Sequence, residues 1–187
     1  QGTTAADEAL SGKAGQLVVT NVAGGTLTSN RNYYIRGEQA TVEVSANRGY
    51  KLTSLKVSEV DVLNTEAFQN GILTATIDAD TVTVVPAFEQ ITETMYNVTG
   101  RVVLDKVLFT RDVSVLITGK SDKGYVYRSQ LSRRADYTQE EMNGDLQNEA
   151  KNCNRYEISA QLPNGEYSVV VNYFNGARLF SQDVTVA

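Results

Sequence analysis

The stretch Thr41–Val57, TVEVSANRGYKLTSLKV, constrains the fold more than any other. Val42, Val44 and Ala46 alternate with Thr41, Glu43 and Ser45, so one face is apolar and the other is wet. Asn47-Arg48-Gly49 is turn chemistry, with a glycine free to take a positive φ. Leu55 and Val57 then alternate with Ser54, Lys56 and Ser58, and Tyr50 and Leu52 stand beside the turn to close a small core. Strand, turn, strand is the reading, and it implies a β domain reaching to Phe88.

The flanking chain keeps the same rhythm. Leu17–Val22 is a short β run, Ala23-Gly24-Gly25 a turn, and Tyr33-Tyr34-Ile35 leads into the turn Arg36-Gly37-Glu38. Ser58–Asn70 is irregular and closes on Asn70-Gly71, a hairpin signal. Leu73, Ala75 and Ile77 alternate with threonines, Asp78-Ala79-Asp80 turns the chain, and Val82 and Val84 alternate again. Pro86 implies an edge or a strand end, because it cannot donate to a ladder. Gln1–Gly15, rich in Ala, Gly, Thr and Ser, reads as a flexible leader or linker.

These residues carry a resemblance. Gly24–Thr26, Gly37–Val42 (GEQATV), Ala46–Val57 (ANRGYKLTSLKV) and Asp78–Glu89 together resemble the bacterial B-repeat module first noted in internalins, over about Leu17 to Glu89. The family often has Asn-Gly after the central strand, where this chain has Ser58–Val60. The resemblance implies a small β-grasp-like domain, 16–89, in a secreted or surface-anchored protein. It carries over no catalytic residue.

Gln90–Met95 is polar and joins two periodic regions, so 90–95 reads as a linker. A second strand series follows over 96–187. Val98, Val102 and Leu104 oppose Thr99 and Arg101. Val113, Val115 and Ile117 form another strand, Gly119–Gly124 a turn, and Tyr125–Ser129 a third strand. Leu131–Asn154 breaks the pattern, and a loop that long usually carries structure or function. Thr138-x-x-Glu141 fits a capping box. Met142, Leu146 and Ala150 lie on one helical face, against about 1 kcal/mol lost at Gly144 relative to Ala. One short helix is expected within 138–150. Strands resume at Tyr156–Gln161. Leu162-Pro163-Asn164-Gly165 is a sharp turn, Tyr167, Val169, Val171 and Tyr173 alternate, and Asn175-Gly176 starts a last hairpin.

Val98–Val102 (VTGRV) paired with Leu162–Val171 (LPNGEYSVVV) resembles the prealbumin-like sandwiches, among them carboxypeptidase regulatory-like and collagen-adhesin B-type domains. The resemblance implies a prealbumin/Ig-like β-sandwich. The adhesin version often holds a Lys–Asn isopeptide bond promoted by a Glu. Val171 occupies the matching position, so no such bond is expected.

Composition excludes more than it assigns. The protein has 187 residues and a net charge of −5. Residues 1–95 hold six Lys and Arg against eleven Asp and Glu, and the rest hold eleven of each. Neither half offers the basic surface that nucleic acid requires. No apolar run reaches the roughly 20 residues that span a bilayer. There is no histidine, the commonest general base and metal ligand, and no cofactor or metal is implied. Cys153 is the single cysteine, best read as a small, partly buried residue.

Candidate chemistry is sparse. Gly119-Lys120-Ser121 ends like a phosphate loop, but Ser114 stands where the first glycine belongs, so a β-turn is the reading. Asp78, Asp80, Asp105 and Asp112 flank turns without a calcium-loop pattern. Glu140, Glu141, Asp145 and Glu149 cluster in the long loop as a wet helix face; a hydrolase would need two of them facing across a cleft. Asn97-Val98-Thr99 fits the glycosylation pattern at the start of a strand. Tyr33, Tyr34, Tyr125, Tyr127, Tyr137, Tyr173 and Phe174 are candidate platforms for sugar rings or a protein partner, and Tyr137, in the long loop, is the candidate ligand-binding residue. The expected function is a non-catalytic spacer, adhesion or binding arm, extracellular or at the cell surface, with a protein or glycan partner. The alternative is a carbohydrate-binding accessory segment of a secreted glycan-utilisation system.

Overall fold

A computed structural model describes residues 13–103, 113–129, 131–133, 138–141, 143, 155–173 and 176–187. The chain divides into two compact units, Gln1–Ile91 with Lys123–Val126, and Thr92–Asp122 with Tyr127–Ala187.

The first unit stacks two sheets. One contains β1 (Ala14–Val19), β3 (Tyr33–Ile35), β5 (Tyr50–Val57), β6 (Val60–Asp61) and β9 (Thr81–Gln90), in the order β3-β1-β9-β5-β6. The other contains β2 (Gly25–Ser29), β4 (Gln39–Ala46), β7 (Phe68–Gln69) and β8 (Ile72–Thr76), in the order β2-β4-β8-β7. The alternation in the central stretch is realised on β4, where Ala40, Val42, Val44 and Ala46 are all buried. Its two strands do not pair with each other. β4 pairs β2 and β8, whereas β5 pairs β6 and β9. The Asn47–Gly49 turn, with Gly49 at φ 83°, therefore carries the chain from one sheet to the other.

Two local features depart from simple alternation. Leu52 and Leu55 are both fully buried although they are three apart, because the β5–β9 register shifts between Leu52 and Ser54. Such a bulge resets which face a side chain takes. Pro86 is opposite Leu55 on β9, which lies between β1 and β5, yet β1 pairs only Thr81–Val84. Beyond Val84 one side of β9 is unpaired by β1, and the proline sits there.

β1 begins at Ala14, so Ala14 and Gly15 are corrected from leader to strand, where they pair with Ile35 and Tyr34. The segment expected as irregular, 58–70, contains the short strands β6 and β7. Asn70 and Gly71, both at positive φ, form the β7–β8 hairpin turn. Lys123–Val126 completes this unit. Leu52 N–H donates to the Gly124 carbonyl at 2.8 Å, and Lys123 Nζ donates to the carbonyls of Thr65 and Phe68 at 2.8 and 2.7 Å.

The second unit is a two-sheet sandwich. β10 (Met95–Val103), β13 (Ser132–Arg133) and β14 (Arg155–Pro163) form one sheet in the order β10-β14-β13. β11 (Val113–Gly119), β12 (Val126–Ser129), β15 (Gly165–Tyr173) and β16 (Arg178–Val186) form the other, in the order β12-β11-β15-β16. Val113, Val115, Ile117, Tyr156, Ile158 and Val171 are buried, as their spacing predicts. The corner at Pro163–Gly165 passes the chain from one sheet to the other. Thr138 caps the turn as the box predicts: Glu141 N–H donates to Thr138 Oγ1 at 3.1 Å, and the Thr138 hydroxyl bonds the Glu141 carboxylate at 3.1 Å. Helical conformation is present at 139–141 and 143. Met142, Leu146 and Ala150 lie outside the described side chains. The architecture is mainly β throughout, as expected.

Candidate functional site: an apolar seam in the second unit

The sequence-predicted site residues do not converge. Tyr137, Phe174 and Cys153 lie outside the described residues, as do Asp105, Asp112, Asp145 and Glu149. Tyr33 and Tyr34 are neighbours on a strand and therefore point to opposite faces; Tyr33 is exposed and Tyr34 buried. Tyr125 lies under the Lys51 ammonium, 4.7 Å from its ring centroid. Asp80 pairs with Arg36. Lys120 bonds Asp183 at 2.6 Å, which raises its pKa, and its N–H donates to the Glu166 carbonyl at 2.9 Å. The phosphate-loop look-alike is thus tied into the ends of β11, β15 and β16. Among the described residues no group of three or more Cys, Asp or Glu is placed to hold a metal ion.

What the structure does build is a seam in the sandwich. A cavity of about 260 Å³ lies between the two sheets of the second unit. β10 contributes Val98, Thr99, Gly100, Arg101 and Val102, and β14 contributes Ile158, Ala160 and Leu162. The facing sheet contributes Ile117, Tyr167 and Val169, and β16 contributes Phe180, Gln182 and Val184. Among the described lining residues Arg101 is the charged one, Thr99 and Gln182 are polar, and the others are apolar or glycine apart from the Tyr167 hydroxyl.

The cause is local. Val98 pairs with Ala160 and Gly100 with Ile158, so the inward face of this sheet carries its two smallest side chains, at Gly100 and Ala160, on neighbouring strands. A Cβ placed on Gly100 meets nothing within 4 Å. Protein interiors normally pack without such gaps. Val98, Ala160, Val169, Phe180 and Val184 remain half-buried although they face the seam. Sequence reasoning assigned Val98 and Val102 to the inner face but missed the seam.

The Asn97-Val98-Thr99 pattern lies on β10, where Asn97 Oδ1 accepts from Gln161 Nε2 at 3.0 Å. Val171, at the position of the adhesins' promoting glutamate, is fully buried in β15.

The described residues form a mainly β protein of two compact units. Residues 15–92, nearly all of them in the first unit, match the family model described as Divergent InlB B-repeat domain. No curated protein and no solved structure matches the chain. No described helix is long and apolar enough to cross a membrane.

Proposed function

We propose that this chain is a non-catalytic module of a secreted or cell-surface bacterial protein, working as a spacer, adhesion or binding arm. The observation that carries the reading is the B-repeat match over 15–92, a domain type of modular surface proteins. Three further features support it. Many apolar side chains of both units are buried in β cores, the sequence has no histidine, and the cavity of the second unit is lined mostly by apolar residues. An apolar seam suits recognition of an apolar group better than acid–base chemistry, which needs a titratable side chain within hydrogen-bond reach of the substrate.

The test is a glycan array probed with the purified chain, read for both binding and hydrolysis. The proposal expects no turnover of any glycan. Turnover would remove the non-catalytic reading. A binding signal lost in Tyr137→Ala would replace it with the carbohydrate-binding alternative.

A further inference from the structure

The two strands that border the seam are both sheet edges. β10 is the outer strand of its sheet and β16 the outer strand of the other. Each is nine residues long. Among the described residues every other edge strand is shorter. In the first unit β2 has five residues, β3 three, and β6 and β7 two each. In the second, β12 has four and β13 two.

Natural sheets blunt their edges with short strands, lysine, proline or bulges. The rest of this chain follows that rule by keeping its edges short. β10 (MYNVTGRVV) and β16 (RLFSQDVTV) have no lysine and no proline. Each has one or two charged residues: Arg101 on β10, and Arg178 and Asp183 on β16. The one register shift on β15–β16 falls at Asn172, near the start of β16. The two longest edges among the described strands, blunted by Arg101, Arg178, Asp183 and the shift at Asn172 but by no lysine or proline, are therefore the two that flank the gap.

We infer that the seam receives an extended segment of another protein chain, which pairs along β10 and seats alternate apolar side chains between the sheets beside Gly100. A strand is the occupant that answers both features at once. Its backbone supplies a ladder for an open edge, at about 4.8 Å spacing. Its side chains alternate, so every second one enters the gap while the others stay in water. A compact apolar molecule would fill the cavity and add nothing to either edge. The partner segment is therefore apolar at every second residue and polar between, without proline at the pairing positions. Gly100 is the register point, since the missing side chain leaves room for one large residue of the partner. This inference rests on the binding-arm reading and adds where and what the arm binds. Its failure would leave export and the lack of catalysis untouched.

The experiment uses the isotopically labelled full chain and a synthetic peptide of alternating Val and Thr with terminal lysines, as long as β10 at nine residues. Amide shifts are followed during titration. The expected result is saturable shifts confined to Val98–Val102 and Phe180–Val184, and binding at least about tenfold weaker in Gly100→Leu, where the new side chain occupies the gap. Gly100→Ala, whose Cβ has no neighbour within 4 Å, keeps the fold and most of the binding. Were Gly100→Leu unfolded, the wild-type shift map alone decides. Shifts elsewhere, equal affinity in a folded Gly100→Leu, or binding of an apolar dye without binding of the peptide would overturn the inference. Dimerisation through these edges without peptide would also overturn it, in favour of a second copy.

Discussion

The Tyr167 hydroxyl donates to the Pro163 carbonyl at 2.8 Å, and both residues are buried at the corner where β14 passes into β15. The bond spans four residues and fixes the turn that brings one sheet over the other. Tyr167→Phe keeps the ring in the core and removes only the donor. A loss of about 1–2 kcal/mol is expected in urea unfolding of the second unit, the size of one buried hydrogen bond left half-made. An unchanged midpoint would show that the corner is held by packing alone.

Gly25 on β2 faces Phe88 on β9, and a Cβ built on Gly25 would overlap the Phe88 ring. The ring packs directly on the backbone of the opposite sheet. Gly25→Ala is expected to cost about 1–3 kcal/mol through overpacking. Gly100→Ala, entering open space, is expected to be neutral or slightly stabilising. Thermal unfolding of the two variants side by side measures the contrast.

The β5–β6 hairpin turns on Ser58 and Glu59 at φ 46° and 73°. Both are left-handed positions that a two-residue hairpin normally fills with Asn-Gly. The family's Asn-Gly is replaced, but its turn is kept. Ser58→Asn with Glu59→Gly is expected to stabilise the first unit by about 1 kcal/mol, relieving strain at two positions. A lower unfolding midpoint for the double variant would contradict this account of the turn.

Glu38 accepts the Ile35 N–H at 2.8 Å and the Arg31 guanidinium at 2.5 Å. These bonds, that of the Ile35 N–H foremost, hold its carboxyl below the ordinary glutamate range. Arg31 in turn lies 4.3 Å over the Tyr34 ring. A carboxylate depressed in the folded state stabilises above its unfolded pKa, and that contribution fades as pH falls through the folded value. The midpoint difference between wild type and Glu38→Gln is therefore expected to be constant near neutrality. It should shrink as pH drops below about 4.3, the unperturbed glutamate value. A difference that grows in acid would reverse the sign of the argument.

How much was legible in the sequence follows from which forces are local. The alternation on β4 and on β11 read correctly, because one face of each strand is buried and the other wet. Asn70-Gly71 and the Thr138–Glu141 capping box read correctly too, since backbone conformation and capping are decided within a few residues. The bulge at Thr53 was hidden: Thr53 looks like any strand residue, and only pairing with β9 shows that Leu52 and Leu55 share a face. The Ser58–Glu59 hairpin was hidden because its residues are poor matches to the conformation they adopt. The seam was hidden for a different reason. Gly100 and Ala160 are ordinary strand residues in isolation, and their meaning depends on strand order, which places both long edges on one gap. Ala14 and Gly15 resembled a leader because small residues mark loops more often than strands. Gly15 is small because a Cβ there would overlap the Ile77 side chain.

The claim that most depends on these arguments is that the chain is an exported arm exposed outside the cell. A membrane-impermeant amine reagent applied to intact cells that make the protein tests it directly, since Lys13, Lys56 and Lys120 are exposed. The account predicts label on these lysines in intact cells, at the level found after lysis. Label appearing only after lysis would contradict it.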